Sequence, residues 1–192
     1  MNSIPDTLKT AVVTGANRGL GLETCRQLAR LGLTVILTSR DQHKGEAAVA
    51  TLREAGLAVV REQLVEWGID VTPLVLVDGS GLSLDNRLTC DSILTVLQRS
   101  GFDSPVGQGL PVAGQTGTLA TAFVDHPVAG RLRGKTGTLN NPPFNVDPPA
   151  VKALAGFLPV EGGSAIEYVL ILNGPTISDQ SEYRPVWEAL AD

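Results

Sequence analysis

Thr14-Gly15-Ala16-Asn17-Arg18-Gly19-Leu20-Gly21 places three glycines at offsets that suit a backbone loop wrapped around a pyrophosphate. Gly15 permits a tight turn, Gly19 clears a side chain from the path of phosphate oxygens, and Gly21 permits close packing of helix on strand. Asn17, Arg18 and Leu20 complete the loop, and a helix starting there aims backbone N–H groups and a positive dipole end at the ligand. A second stretch, Gly130-Arg131-Leu132-Arg133-Gly134-Lys135-Thr136, has one residue too few between its glycines for a triphosphate loop. Asn140-Asn141-Pro142-Pro143 then forbids the long helix that such a loop must open, so a nucleoside triphosphatase is excluded.

Acyl transfer by serine needs an amine one helical turn from the hydroxyl. The four lysines, Lys9, Lys44, Lys135 and Lys152, follow Asp6, Asp41, Leu132 and Pro149 at three places, so the chain has no Ser-x-x-Lys. No asparagine follows a serine at two places either. Ser80 and Ser83 read as turn residues, and His43 and His126 as surface residues. Cys25 and Cys90 have neither Cys-x-x-Cys spacing nor clustered histidines, so they read as buried free thiols and no metal is expected.

The elements that must position these residues follow from periodicity. Residues 10–14 form a β-branched run that predicts a strand, and the apolar spacing Leu20, Leu22, Cys25, Leu28, Leu31 predicts a helix that Gly32 stops. Residues 34–38 repeat the strand pattern. Residues 42–55 predict a second helix, capped by Gly56, and residues 57–60 begin a third strand. This is a βαβαβ opening. Further on, residues 74–77 predict a strand entering a turn marked by Gly79 and Gly81, and Thr89 starts a helix to about Gln98. Residues 142–149 read as a loop, 152–158 and 165–172 as strands, and 183–191 as a closing helix.

The Thr-Gly-x-x-x-Gly-x-Gly loop in its strand-loop-helix setting resembles the short-chain dehydrogenase/reductase family, over residues 8 to about 60. The resemblance implies dinucleotide binding by Gly15, Asn17, Arg18, Gly19, Leu20 and Gly21. Ser39-Arg40 stands where an acidic residue would hold a ribose hydroxyl, and a guanidinium suits a 2′-phosphate, so the implied cofactor is NADP(H), bound weakly. The alternative for Arg40 is a solvated strand end. Beyond residue 60 the family pattern stops: the Asn-Asn-Ala-Gly turn, the catalytic Ser and the Tyr-x-x-x-Lys pair are all missing. Ile69-Asp70-Val71-Thr72 imitates the family's acidic turn by coincidence.

Asp78-Gly79-Ser80-Gly81-Leu82-Ser83, then Leu110-Pro111-Val112-Ala113-Gly114, Gly117-Thr118-Leu119, Ala129-Gly130-Arg131 and Lys135-Thr136-Gly137-Thr138-Leu139 follow in order. These blocks resemble serine-type D-alanyl-D-alanine carboxypeptidases of the penicillin-binding class over about two thirds of the chain. The resemblance implies that Lys135 is the catalytic cation attracting a peptide C-terminal carboxylate or the acid group of a β-lactam. It likewise makes Thr136, Gly137 and Thr138 the substrate-binding strand. The family's Ser-x-x-Lys and Ser-x-Asn lie upstream of the Asp-Gly-Ser-Gly block, where this chain carries dehydrogenase-like sequence.

The expected fold is α/β: a partial Rossmann βαβαβ unit, residues 1–62, followed by a partial transpeptidase/β-lactamase-like sheet with flanking helices, residues 63–192. Both pieces lack their usual neighbours, which predicts marginal stability. A net charge of -5 gives nothing to attract nucleic acid or an anionic membrane. Residues 1–10 lack the apolar run of an export leader, so a cytoplasmic location is expected, although the carboxypeptidase-like lineage is normally exported. Three functions stand open. One is a carboxypeptidase-lineage chain acting on peptidoglycan peptides or β-lactams but inactive alone. A second is an NADP(H)-binding module without hydride transfer. The third is an artificial or mispredicted fusion with no selected activity.

Overall fold

A computed structural model describes residues 9–140, 150–174, 177 and 179–191. The loop read at 142–149 lies outside them, as do residues 1–8. The chain divides into two compact units, Met1–Gln63 and Leu64–Asp192.

The first unit opens with strand β1 (Thr10–Val13), helix α1 (Gly19–Arg30) and strand β2 (Thr34–Leu37). β1 and β2 pair in parallel, from Thr10 opposite Thr34 to Val13 opposite Leu37. Gly32, in the left-handed region at φ 79°, ends α1 and donates its N–H to the Ala29 carbonyl. Helix α2 then runs unbroken over Gln42–Glu66. The third strand expected at 57–60 is therefore helix. The surrounding Ala, Leu, Arg and Glu are strong helix formers, and one interior glycine costs only about 1 kcal/mol, less than breaking and renucleating the helix. Only β1 and β2 remain of the expected parallel sheet among the described residues, and Val12 and Ile36 stay exposed on one face of the pair.

In the second unit the strand expected at 74–77 reduces to one antiparallel bridge, Val75 to Arg87. Side chains intercept the backbone there. Asn86 Oδ1 accepts from Val77 N–H at 2.8 Å, and the Asp78 carboxylate accepts from Gly81 N–H at 2.8 Å and Ser83 N–H at 2.9 Å. Helix α3 (Cys90–Ser100) is opened by a capping box between Thr89 and Ser92 and closed by Gly101 at φ 80°. A short helix α4 (Pro105–Gly109) and a turn-rich segment lead to strand β3 (Arg133–Leu139).

Strands β4 (Val151–Pro159) and β5 (Ala165–Asn173) complete an antiparallel sheet in the order β3-β4-β5. Helix α5 (Gln180–Ala191) buries Tyr183 and Trp187 in a core with Leu119, Phe123, Leu132 and Leu154. Two sequence expectations need correction. Cys25 is buried, but Cys90, at the first position of α3, is exposed. His43 is on the surface, whereas His126 is half-buried edge-on to Phe123, at 5.8 Å between ring centres. The chain turns sharply there, with Phe123 at φ 62°. Among the described residues no helix is long and apolar enough to cross a membrane.

Candidate functional site

Lys135, Thr136, Gly137 and Thr138 lie consecutively on β3, which pairs with β4 on one side only among the described residues. The other edge of β3 begins covered. Gly134 N–H donates to the Pro111 carbonyl at 2.9 Å, and Ala113 N–H to the Leu132 carbonyl at 2.9 Å. Because backbone direction alternates along a strand, the N–H and C=O groups of Thr136 and Thr138 face this same edge. Beyond Gly134 the edge is open among the described residues, save that Lys135 Nζ donates to the Thr136 carbonyl at 2.6 Å.

Side chains alternate across the sheet. Lys135 and Gly137 share a face with Phe157, which packs edge-on against Phe102 at 6.0 Å. Gly137 keeps its surface low: a Cβ there would come 3.3 Å from that of Ala153. Thr136 and Thr138 share the other face with Leu154 and Lys152, their partners on β4.

Three residues that sequence reasoning did not single out hold this strand. Gly134, Gly156 and Tyr168 stand in one cross-strand row, and the two glycines leave a lane for the phenol, which donates to the Arg133 carbonyl at 3.0 Å. Burial pushes the Tyr168 phenol well above its ordinary value. At the far end of β3, Lys152 is 3% exposed and donates to Asn140 Oδ1 at 2.7 Å, with the Tyr183 ring 5.5 Å from its ammonium. Burial lowers the Lys152 pKa. The one signal available in sequence was the pair of glycines, which means something only once the register is known.

Nearby in sequence, but not a nucleophile, Ser80 donates to the Asp78 carboxylate at 3.1 Å, and Asn86 Nδ2 donates to Asp78 Oδ1 at 3.0 Å. The Asn86 amide is the largest cause holding the Asp78 carboxyl below its usual range. Ser80 and Ser83 are turn residues, as their sequence suggests.

In the first unit, Gly15 and Gly19 take positive φ values of 65° and 57°, and nothing lies within 4 Å of a Cβ built on either. Gly21 is different: a Cβ there would meet Ala16 Cα at 2.8 Å, so the glycine lets α1 lie against its own loop. Arg18 is the N-cap of α1. Thr38 N–H donates to the Val13 carbonyl and Ala16 N–H to the Thr38 carbonyl, both at 3.0 Å. Those bonds seat the loop of Asn17 and Leu20 beside the β2 end that carries Arg40.

The family profile described as D-Ala-D-Ala carboxypeptidase 3 (S13) matches residues 40–191. Carboxypeptidase DacB of Mycolicibacterium smegmatis is 36% identical over 134 residues, covering 64% of this chain and 27% of that protein. The D-alanyl-D-alanine carboxypeptidase of Actinomadura sp. is 36% identical over 138 residues, covering 67% and 24%. A second region of the chain matches short-chain dehydrogenases: (+)-neomenthol dehydrogenase of Arabidopsis thaliana is 50% identical over 66 residues, covering 34% and 22%. The chain therefore spans about a quarter of the length of each of these relatives. No solved structure matches it.

Proposed function

The chain belongs to the D-Ala-D-Ala carboxypeptidase 3 (S13) family, and from that membership we propose that β3 is one wall of a peptidoglycan-peptide cleft, holding its ligand without acylating it. The single observation that carries this reading is the edge of β3 at Thr136 and Thr138, open among the described residues, beside the exposed ammonium of Lys135. A peptide ending in D-Ala-D-Ala adds as an extended strand to that edge. Its backbone bonds the free groups of Thr136 and Thr138, and its terminal carboxylate draws Lys135 off the Thr136 carbonyl. Gly137 leaves room for the ligand beside the strand. Catalytic turnover needs a serine activated by an amine, and this chain by itself has no Ser-x-x-Lys.

Intact-mass spectrometry after incubation with a penicillin tests the chemistry; an unchanged mass is expected, and a covalent adduct would overturn the inactive reading. Amide NMR with an N-acylated D-Ala-D-Ala peptide tests the binding. Shifts concentrated at residues 135–138 support it, and a silent β3 counts against it.

A second reading rests on the first unit: a dinucleotide module without hydride transfer, taking NADP(H). The positive φ values of Gly15 and Gly19 and the joining of their loop to Thr38 favour it. A thermal-shift titration with NADPH tests it, since a ligand that binds only folded protein raises the midpoint. If both ligands leave the protein unchanged, a fusion without selected activity is the remaining reading.

A further inference from the structure

Strand β5 pairs with β4 on one side and with no strand on the other among the described residues. Gly174 N–H donates to the Ala150 carbonyl and Val160 N–H to the Ser164 carbonyl, so the even-numbered residues of β5 turn their backbone groups toward β4. The N–H and C=O groups of Ala165, Glu167, Val169, Ile171 and Asn173 therefore point outward, and none of them has a hydrogen-bond partner among the described residues. Apart from Glu167 and Asn173 the strand is apolar or aromatic, yet none of its nine residues is buried. Its neighbour β4 buries Lys152, Leu154, Gly156 and Phe157.

Such an edge is a template for a further strand, and proteins that keep one in water guard it with lysine, proline or a bulge. β5 has none of these: its register against β4 is unbroken, and its one charge is Glu167. The other open edges among the described residues are too short to cover it. β1 and β2 have four residues each, and the outer edge of β3 is occupied as far as Gly134. Another β5 is the one element of the chain that matches it in length among the described residues.

We propose that two copies of the chain join through β5, antiparallel about a two-fold axis at Val169, so that their three-stranded sheets become one. With the axis there, all nine residues pair: Val169 faces its own counterpart, Glu167 faces Ile171, and Ala165 faces Asn173. Ile166, 55% exposed in one copy, gains Leu172 of the second copy as its cross-strand neighbour, and Tyr168 gains Leu170. The same register holds the two Glu167 carboxylates about 14 Å apart along the strands, beyond the Debye length of about 10 Å at 0.1 M salt. An axis at Glu167 itself would set like charges face to face. Each copy uses its one long edge, so assembly closes at two. The β3 edges stand at opposite ends of the joined sheet, which leaves both Lys-Thr-Gly strands open.

Sedimentation equilibrium and amide hydrogen exchange on the whole chain test it. A dimer is expected, with exchange at Val169 and Ile171 slowing as protein concentration rises. Val169→Pro removes the central donor from both copies without breaking a bond inside either, and weakens association about a hundredfold or more. Ile166→Lys, at an exposed side chain, adds the kind of charge that guards natural edges and weakens association too. Thr138→Pro, which blocks the β3 edge instead, leaves the dimer intact. Circular dichroism shows that each variant is folded, and where Val169→Pro does not fold, Ile166→Lys decides. A chain that stays monomeric at millimolar concentration overturns the proposal. So does a dimer that folded Val169→Pro or Ile166→Lys leaves at full strength, one that is lost in folded Thr138→Pro, or growth beyond two copies.

Discussion

The hydroxyl of Tyr168 fills the space that a side chain at Gly134 would need; a Cβ on Gly134 would overlap the phenol oxygen and would also stand 3.2 Å from both the Ala155 carbonyl oxygen and Leu154 Cδ1. The start of the Lys-Thr-Gly strand is thus packed by a residue from β5, two strands away.

Gly134→Ala is expected to destabilise the second unit by about 1–3 kcal/mol, the usual range for overpacking. Tyr168→Phe alone costs about 1 kcal/mol for the lost hydrogen bond to Arg133. The double variant is expected to be more stable than the sum of the two, because removing the hydroxyl relieves part of the overlap. Urea denaturation of the four proteins measures that coupling.

Stability should also fall at alkaline pH. Burial raises the Tyr168 pKa above the ordinary 10.0, so the folded state keeps a proton that the unfolded chain gives up. The stabilisation is complete below pH 10.0 and is lost as pH rises beyond it. Thermal melts of the native protein and Tyr168→Phe across that range should show the decline in the first and a weaker one in the second.

Lys152 carries the opposite sign. Burial lowers its pKa below 10.5, so its charge opposes folding at neutral pH, and the opposition fades as pH approaches 10.5. No carboxylate pairs with it among the described residues, and Lys152→Met is expected to stabilise the protein at pH 7 by about 1 kcal/mol. Denaturation midpoints at neutral and high pH should show that advantage shrinking.

Gly56 distinguishes the observed helix from the strand boundary read in the sequence. It lies inside α2 without a positive φ, and nothing lies within 4 Å of a Cβ built there. Gly56→Ala is therefore expected to stabilise the first unit by about 0.5–1 kcal/mol, seen as a higher melting midpoint. A loss of stability would mean that the residue caps the helix after all.

Asn86→Ala should raise the Asp78 pKa toward its usual 3.8, because the amide is the largest influence holding it down. Carboxyl NMR titration reads this directly.

Much of the framework was legible in sequence because its signals are local. Thr10 to Val13 and Thr34 to Leu37 are β-branched runs, Gly32 ends a helix by conformational freedom, Thr89 opens one by its hydroxyl, and β4 and β5 are long apolar runs. The two family likenesses were carried by ordered motifs in the same way. Residues 57–60 and 74–77 were misread because their short apolar patterns fit strand or helix equally, and helix continuation in one case and the Asp78–Asn86 hydrogen bonds in the other decided the outcome.

The sequence by itself determined that a glycine loop and a Lys-Thr-Gly strand share one chain, and that no Ser-x-x-Lys or Tyr-x-x-x-Lys accompanies them. Only the tertiary structure decided that Tyr168 packs over Gly134, that Lys152 is buried beside Tyr183, and that the outer edge of β5 has no partner strand among the described residues. Motifs are contiguous, so spacing reveals them. Contacts between strands depend on register and on how closely a helix approaches a sheet, and those are fixed only when the whole of each unit packs.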